Sequence, residues 1–92
     1  MTVLMRADIP GMTSAQFDVV FKPLIDQLKL FPGFITHASG PVGGNYQVTE
    51  VWESQEAHER WVREVIVPTM QQAGLADPPA IQYLPLDRFF TR

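Results

Sequence analysis

The chain has 92 residues, 46% of them hydrophobic, a formal net charge of −3 and no cysteine. This length suits a single domain of residues 1–92 with a modest core, and the lack of cysteine excludes disulfide bonds, cysteine-bound metals and thiol nucleophiles. The basic residues form no patch that would bind nucleic acid, and every apolar run is too short to span a membrane. Because the first residues also lack the features of a signal peptide, we expect a cytoplasmic protein.

The first two predicted elements are a strand and a helix. Residues 2–9 are partly β-branched and are followed by Pro10-Gly11, a pattern typical of a strand that ends at a turn. In the helix that follows, Thr13 and Gln16 fit a capping box. Pro23 lies inside the helical pattern and predicts a kink. Apolar residues at three- and four-residue spacing predict a face packed on a sheet: Phe17, Val20, Phe21, Leu24 and Leu28.

A hairpin is predicted next. Residues 34–39 form its first strand, residues 40–45 a turn-rich loop, and residues 46–53 a second strand rich in β-branched and aromatic residues. The short connection makes the two strands antiparallel, but it leaves the register between them open. Alternation along the second strand places four residues on one face: Tyr46, Val48, Glu50 and Trp52.

A second helix follows the hairpin. Ser54 is a good N-cap, Pro68 predicts either a kink or the start of a new helical segment, and Gly74 predicts a left-handed C-cap. Two rows at helical spacing make this helix amphipathic: Ala57, Trp61 and Val65, and His58, Val62 and Ile66.

A final strand completes the predicted fold. Residues 80–90 follow the stiff connector Asp77-Pro78-Pro79, and Pro85 within them indicates an edge strand or a bulge. The order β-α-β-β-α-β predicts a ferredoxin-like α+β fold, in which a four-stranded antiparallel sheet has both helices on one face. Because the other face would stay uncovered, we expect a homodimer in which a second copy covers it, as in a dimeric α/β barrel.

Several short segments together resemble the antibiotic-biosynthesis monooxygenase-like family. They are the Pro10-Gly11 step before a capped helix, the opening Pro32-Gly33-Phe34-Ile35 of the second strand, the Trp-x-Ser step within residues 51–57, and Pro68 late in the second helix. The resemblance covers nearly the whole chain. It implies the dimeric α/β-barrel fold, and it implies a pocket between the sheet and the helices of each monomer.

The resemblance also implies a chemistry. Better-studied members oxidise aromatic polyketide anthrones with molecular oxygen and no cofactor, and the pocket tryptophan of those members matches Trp52. Where they have an asparagine, this chain has Val48. Haem-degrading relatives would need a histidine late in the second helix, where this chain has Gln71 and Gln72. The resemblance therefore favours a cofactor-free reaction over haem degradation.

Glu50 and His37 are the candidate catalytic residues. If Trp52 faces the helices, Glu50 points into the same apolar pocket and could act as a general base. The alternative is an exposed or interface carboxylate paired with an arginine. His37 could exchange a proton near neutral pH, but only one choice of hairpin register places it beside Glu50. The alternative is an interface or half-exposed histidine, and His58 is expected to be a partly exposed helix residue near the pocket mouth.

Substrate-binding candidates are mostly aromatic. They could enclose a flat substrate or could simply be core, and they are Trp52, Trp61, Phe17, Phe21, Tyr83 and His58. No metal-ligand spacing, phosphate loop or serine–histidine–acid triad is recognisable, so no metal or cofactor is predicted. We therefore expect a small cofactor-independent tailoring enzyme for an aromatic or polyketide-like product, most simply a monooxygenase. The alternatives are a proton-transfer cyclase or isomerase, or a non-catalytic dimeric ligand-binding accessory protein.

Overall fold

A computed structural model describes residues 1–75 and 79–92. Four strands form one antiparallel sheet in the order β2-β3-β1-β4. Their bounds are Val3–Pro10 for β1, Phe34–Val42 for β2, Asn45–Trp52 for β3 and Ala80–Pro85 for β4. Two helical crossovers join β1 to β2 and β3 to β4. The predicted ferredoxin-like α+β fold is therefore confirmed.

The first crossover is helical but interrupted. Helix α1 spans Ser14–Val20, a 3₁₀ turn spans Lys22–Leu24, and α2 spans Ile25–Lys29. The predicted capping box is present, since the Thr13 hydroxyl accepts the Gln16 N–H at 3.1 Å and the Gln16 side chain accepts the Thr13 N–H at 2.9 Å. Pro23 lies in the 3₁₀ turn, because proline has no N–H to continue the α-helical pattern.

The second crossover also changes helix type. Helix α3 spans Gln55–Trp61, a π-helical segment spans Val62–Ile66, and α4 spans Val67–Gln72. The Ser54 hydroxyl accepts the Ala57 N–H at 3.1 Å, as its predicted N-cap role requires. Pro68 lies in the first turn of α4, where its missing donor costs little. The chain then leaves α4 through a left-handed Gly74 with φ of 72°, as predicted.

The hairpin and the last strand differ from the prediction. Strand β2 continues to Val42 instead of ending at residue 39, because Gly43 adopts a φ of 59° and lets the chain reverse at once. Strand β4 ends at Pro85 instead of continuing to residue 90. Its partner β1 begins at Val3, and the Leu86 N–H makes a closing bond to the Thr2 carbonyl at 2.9 Å. The edge position predicted for Pro85 is confirmed, while Asp77 and Pro78 of the connector lie outside the described residues.

The core lies between the sheet and the helices. Strands β1 and β3 contribute alternate residues, and the helices of each crossover contribute the apolar face predicted for them. Members with less than a tenth of their surface exposed include Val3, Met5, Ala7, Phe17, Phe21, Leu28, Val48, Trp52, Trp61, Val65 and Met70. Within residues 1–75 and 79–92, no helix has both the length and the apolar character needed to cross a membrane.

Gly33 permits a close approach between β2 and α3. Its φ is 92°, and a side-chain Cβ built there would lie only 2.6 Å from the Ala57 Cβ. Ala57 immediately precedes His58 in α3. The glycine therefore leaves room for α3, which carries His58, to come close to the sheet.

Candidate active site

Strand register brings Glu50 and His37 together. Glu50 of β3 lies opposite His37 of β2 on one side and Met5 of β1 on the other. The His37 Nδ1 atom lies 2.7 Å from the Glu50 Oε2 atom. The register that the sequence left open is therefore the one that pairs the two candidate catalytic residues.

Glu50 is a buried carboxyl group with both oxygens hydrogen-bonded. Only 4% of the residue is exposed. The Trp52 indole N–H donates to the Glu50 Oε1 atom at 2.9 Å, while His37 occupies Oε2. An exposed Glu50 paired with an arginine is excluded by this arrangement. Because a buried carboxylate is costly unless its oxygens are satisfied, these two N–H groups keep Glu50 as an acceptor inside the fold.

His58 is buried, which corrects the expectation of a partly exposed helix residue. Only 3% of its surface is exposed. Its ring packs edge-on to the Trp52 ring at 5.4 Å and to the Tyr83 ring at 5.5 Å. The Tyr83 hydroxyl lies 2.7 Å from His58 Nδ1, and His58 Nε2 lies 3.8 Å from the Glu50 Oε1 atom. The phenol gives the buried imidazole the hydrogen bond that it needs away from water.

Burial keeps His58 and Tyr83 uncharged at neutral pH. Desolvation lowers the pKa of His58, although the charges of Glu50 and Glu59 act in the opposite direction. Desolvation, with smaller contributions from Glu59 and Glu50, raises the pKa of Tyr83 to about 12. We call His58 and Tyr83 the inner branch of the site.

A second set of hydrogen bonds leads from His37 to the surface. His37 Nε2 lies 2.9 Å from the Ser39 Oγ atom, and the Tyr46 hydroxyl donates to that same oxygen at 3.2 Å. The Phe17 ring stacks on Tyr46 with centroids 4.4 Å apart. We call His37, Ser39 and Tyr46 the outer branch.

Sequence reasoning missed Ser39 and Tyr46 as members of the site. Strand alternation offered a signal for both, because Ser39 is two residues from His37 and Tyr46 shares a face with Glu50. The hydrogen bonds run from Ser39 to His37 to Glu50, the same serine–histidine–acid sequence of contacts as in a hydrolase triad. Ser39, however, is exposed and does not line the cavity described below. The outer branch therefore connects a buried carboxyl group to solvent.

An apolar cavity of about 70 Å³ lies beside Glu50. Of the residues predicted to bind or act on substrate, six line it: Phe17, Phe21, His37, Glu50, His58 and Trp61. Trp52 and Tyr83 are not part of the lining, and Trp52 is fully buried behind Glu50. Met5, Val48 and Ile81 are among the apolar residues that complete the wall. Pockets for drug-sized ligands usually exceed about 300 Å³, so a polycyclic ligand would need this cavity to widen.

The described residues include no group of three or more histidine, cysteine or acidic side chains that could hold a metal ion. Gln71 and Gln72, at the place where a haem-degrading relative would need a histidine, are exposed at the end of α4. The polar chemistry on the cavity wall comes from Glu50, His37 and His58.

Comparison of the sequence with protein-family models and with curated proteins gives no match. Comparison of the structure with solved structures does. A candidate antibiotic biosynthesis monooxygenase from Caulobacter crescentus aligns with a TM-score of 0.74 and 22% identity, over 95% of this chain and 91% of that chain. SnoaB, a cofactor-independent oxygenase from Streptomyces nogalater, aligns with a TM-score of 0.69 and 15% identity, over 99% and 97% of the two chains.

A third similar structure is a mutant of MhuD with two manganese protoporphyrin IX groups bound per active site. It aligns with a TM-score of 0.66 and 20% identity over the full length of both chains. The three structures share one backbone arrangement, although SnoaB is a cofactor-independent oxygenase and the MhuD mutant holds manganese protoporphyrin IX. The chain thus has the fold of the antibiotic-biosynthesis monooxygenase-like proteins, and the resemblance seen in its sequence is confirmed at the level of fold.

Proposed function

We propose that this chain is a small cofactor-independent monooxygenase acting on an aromatic or polyketide-like ketone. The observation that carries the proposal is the position of Glu50, a buried carboxyl group on the wall of an apolar cavity with histidines on two sides. Such a group suits a general base, because the rest of the lining is apolar and leaves Glu50 and the two histidines as the polar groups that can meet a substrate. The oxygenases among the proteins of similar fold give the proposal further support.

The reaction begins with proton transfer. Glu50 takes a proton from an acidic CH₂ group of the ketone, and His37 passes a proton outward towards Ser39 and solvent. The substrate anion gives one electron to molecular oxygen, and the two radicals combine to form a carbon–oxygen bond. The peroxide anion takes back a proton, which Glu50 can return, and the resulting hydroperoxide loses water to leave a carbonyl group. One CH₂ and one O₂ thus become one C=O and one H₂O, and the substrate supplies all the electrons.

The side chains around Glu50 divide the remaining work. Phe17, Phe21 and Trp61 line the cavity and would contact the substrate ring once the cavity has widened to admit it. Trp52 acts from behind Glu50, because its indole N–H holds the Oε1 atom and its ring does not line the cavity. We accordingly assign Trp52 to orienting the base and the three lining aromatics to binding substrate.

Oxygen uptake with the reduced anthrone dithranol tests the proposal. The assay is run with a metal chelator for the native chain, Glu50→Gln and the matched control Glu53→Gln, whose carboxylate is exposed. We expect uptake above the spontaneous rate for the native chain and the control. Glu50→Gln should lose about 10²-fold or more, the usual contribution of a positioned base. Equal rates for Glu50→Gln and the native chain would refute Glu50 as the base.

The histidines on two sides of Glu50 also suit an enzyme that moves a proton between two carbon atoms, a cyclase or isomerase. Exchange of ketone C–H for deuterium in D₂O separates the candidates. Exchange that needs Glu50 without any oxygen uptake favours the cyclase or isomerase. Ligand binding with neither activity favours the non-catalytic accessory protein.

We further propose that the chain forms a homodimer through the sheet face opposite the helices. Leu84 lies on that face by alternation and is 56% exposed. Phe90, just beyond β4, is 83% exposed. Large exposed apolar groups of this kind favour burial against a second copy. Light scattering after size-exclusion chromatography should give two chains per particle, and Leu84→Glu should shift the particle towards one chain.

A further inference from the structure

The inner branch fixes which nitrogen of His58 holds the hydrogen. The Tyr83 hydroxyl lies 2.7 Å from Nδ1, and Tyr83 stays protonated at neutral pH because its pKa is raised to about 12. The hydroxyl therefore has a hydrogen to donate, and a His58 tautomer with a lone pair on Nδ1 accepts it. On the other side of the ring, the Glu50 Oε1 atom lies 3.8 Å from Nε2 and favours an N–H there over a lone pair. Both neighbours therefore select the tautomer with hydrogen on Nε2.

This Nε2–H group has no hydrogen-bond acceptor in the part of the chain that the structure describes. The 3.8 Å separation from Glu50 Oε1 is too long for a hydrogen bond, and that oxygen already accepts the Trp52 indole N–H. Within residues 1–75 and 79–92, no fully enclosed side-chain nitrogen or oxygen lacks a partner. The Nε2 atom therefore contacts open space, and because His58 lines the cavity, we infer that this space is the cavity, where a ligand can reach the N–H group.

We propose that the Nε2–H of His58 donates a hydrogen bond to the ketone or enolate oxygen of the substrate, and that Tyr83 is the positioning residue that holds His58 in this tautomer. The inference rests on the proposed function, because it names the substrate class of the same site. Glu50 and His58 present a base and a donor to one cavity, so the matching substrate is an enolisable ketone. Its acidic C–H faces Glu50 while its oxygen faces His58.

A neutral donor is the form that this reaction needs. The groups facing His58 are Glu50 from β3, Glu59 from its own helix and Tyr83 from β4, and burial outweighs the two carboxylates to keep the imidazole uncharged. A neutral imidazole N–H stabilises an enolate oxygen without protonating it, whereas an imidazolium would return the proton. The substrate anion thus remains electron-rich while it reacts with oxygen.

The test is ¹⁵N NMR of the two histidine rings, with the small β-diketone acetylacetone as the probe ligand. The chain has only two histidines, so a His37→Gln spectrum assigns the His58 signals. We expect native His58 to show a protonated Nε2 and an unprotonated Nδ1, and the Nε2 signal to shift when acetylacetone is added. Tyr83→Phe should give a mixture of tautomers, while the matched control Tyr46→Phe, which removes a phenol hydroxyl from the outer branch, should keep the native His58 tautomer.

Kinetics with dithranol complete the test. Tyr83→Phe should lower kcat by about ten-fold with little change in KM, the size expected when one hydrogen bond is weakened in the transition state. Two results would overturn the inference even if oxygen uptake is observed. One is a native His58 with its hydrogen on Nδ1, and the other is an Nε2 signal that does not shift when acetylacetone is added. Failure of the proposed function looks different, because oxygen uptake would then be absent while the His58 tautomer and its response to acetylacetone remain as expected.

Discussion

The two branches around Glu50 use the same residue type in different surroundings. His37, in the outer branch, lies on an edge strand with 19% of its side chain exposed and leads through Ser39 to solvent. His58, in the inner branch, lies on a helix with 3% of its side chain exposed, and its hydrogen bond leads only to Tyr83. We expect the environment to divide the roles: an imidazole near water is suited to passing protons, whereas a buried neutral one is better suited to donating or accepting a hydrogen bond.

The largest expected effect on stability comes from a substitution that displaces His58 of the inner branch and leaves the outer branch in place. In Gly33→Ala, the new Cβ would lie 2.6 Å from the Ala57 Cβ, and the backbone would be held at a φ of 92° that alanine disfavours. The backbone strain alone should cost about 1–3 kcal/mol, and relief of the clash should push α3 and His58 away from Glu50. Urea denaturation and the ¹⁵N signals of His58 measure the two consequences.

Gly11→Ala is the matched control for that substitution. Its φ is 72°, but a Cβ there meets no atom within 4 Å, so only the backbone strain applies. We expect the control to lose less stability and to keep the native His58 signals. If both variants lose equal stability and keep both branches intact, the approach of Gly33 to Ala57 does not position His58.

A smaller effect is expected from pH, and it should come from the inner branch. The pKa of His58 is lowered from its ordinary value of 6.5 in the folded chain. Below that value the unfolded chain binds a proton at His58 and the folded chain does not, so the free energy of unfolding falls as pH falls towards the folded pKa. Above 6.5 this contribution is constant.

Denaturation at about pH 7.5 and about pH 5.5 checks this pH dependence. His58→Gln should lose less stability between the two values than the native chain, because it has no buried imidazole to protonate. His37→Gln still contains His58, so the part of the stability loss that His58 causes should remain in this variant. An unchanged pH dependence in His58→Gln would show that the inner histidine does not resist protonation.

The smallest expected effect comes from Ser39→Ala, at the solvent end of the outer branch. One partly exposed hydrogen bond to His37 is lost, which should cost less than about 1 kcal/mol of stability. Turnover of dithranol should fall only about two- to five-fold, since water can replace the hydroxyl in passing the proton. Ser14→Ala, another exposed serine, serves as the control. A loss as large as that of Glu50→Gln would mean that Ser39 itself reacts with the substrate.

Much of the fold was predictable because its signals are local. The Thr13–Gln16 capping box, the Ser54 cap and the Gly74 terminus each follow from residues within a few positions of one another. Strand alternation likewise placed Glu50 and Trp52 on one face. Errors occurred where pairing decides the boundary. Strand β2 continues to Val42 because β3 still pairs with it there, and β4 ends at Pro85 because its partner β1 begins at Val3.

The sequence by itself therefore determined the order of elements, the two amphipathic helices and the face of β3 that carries Glu50 and Trp52, since each depends on a short repeating pattern. Only the tertiary structure decided that His37 lies opposite Glu50, because register depends on a turn that the pattern leaves open. Only the tertiary structure buried His58 beside Tyr83, 25 residues along the chain, because Gly33 lets α3 approach the sheet. The chemistry of the site arises from these two long-range contacts, which no local pattern records.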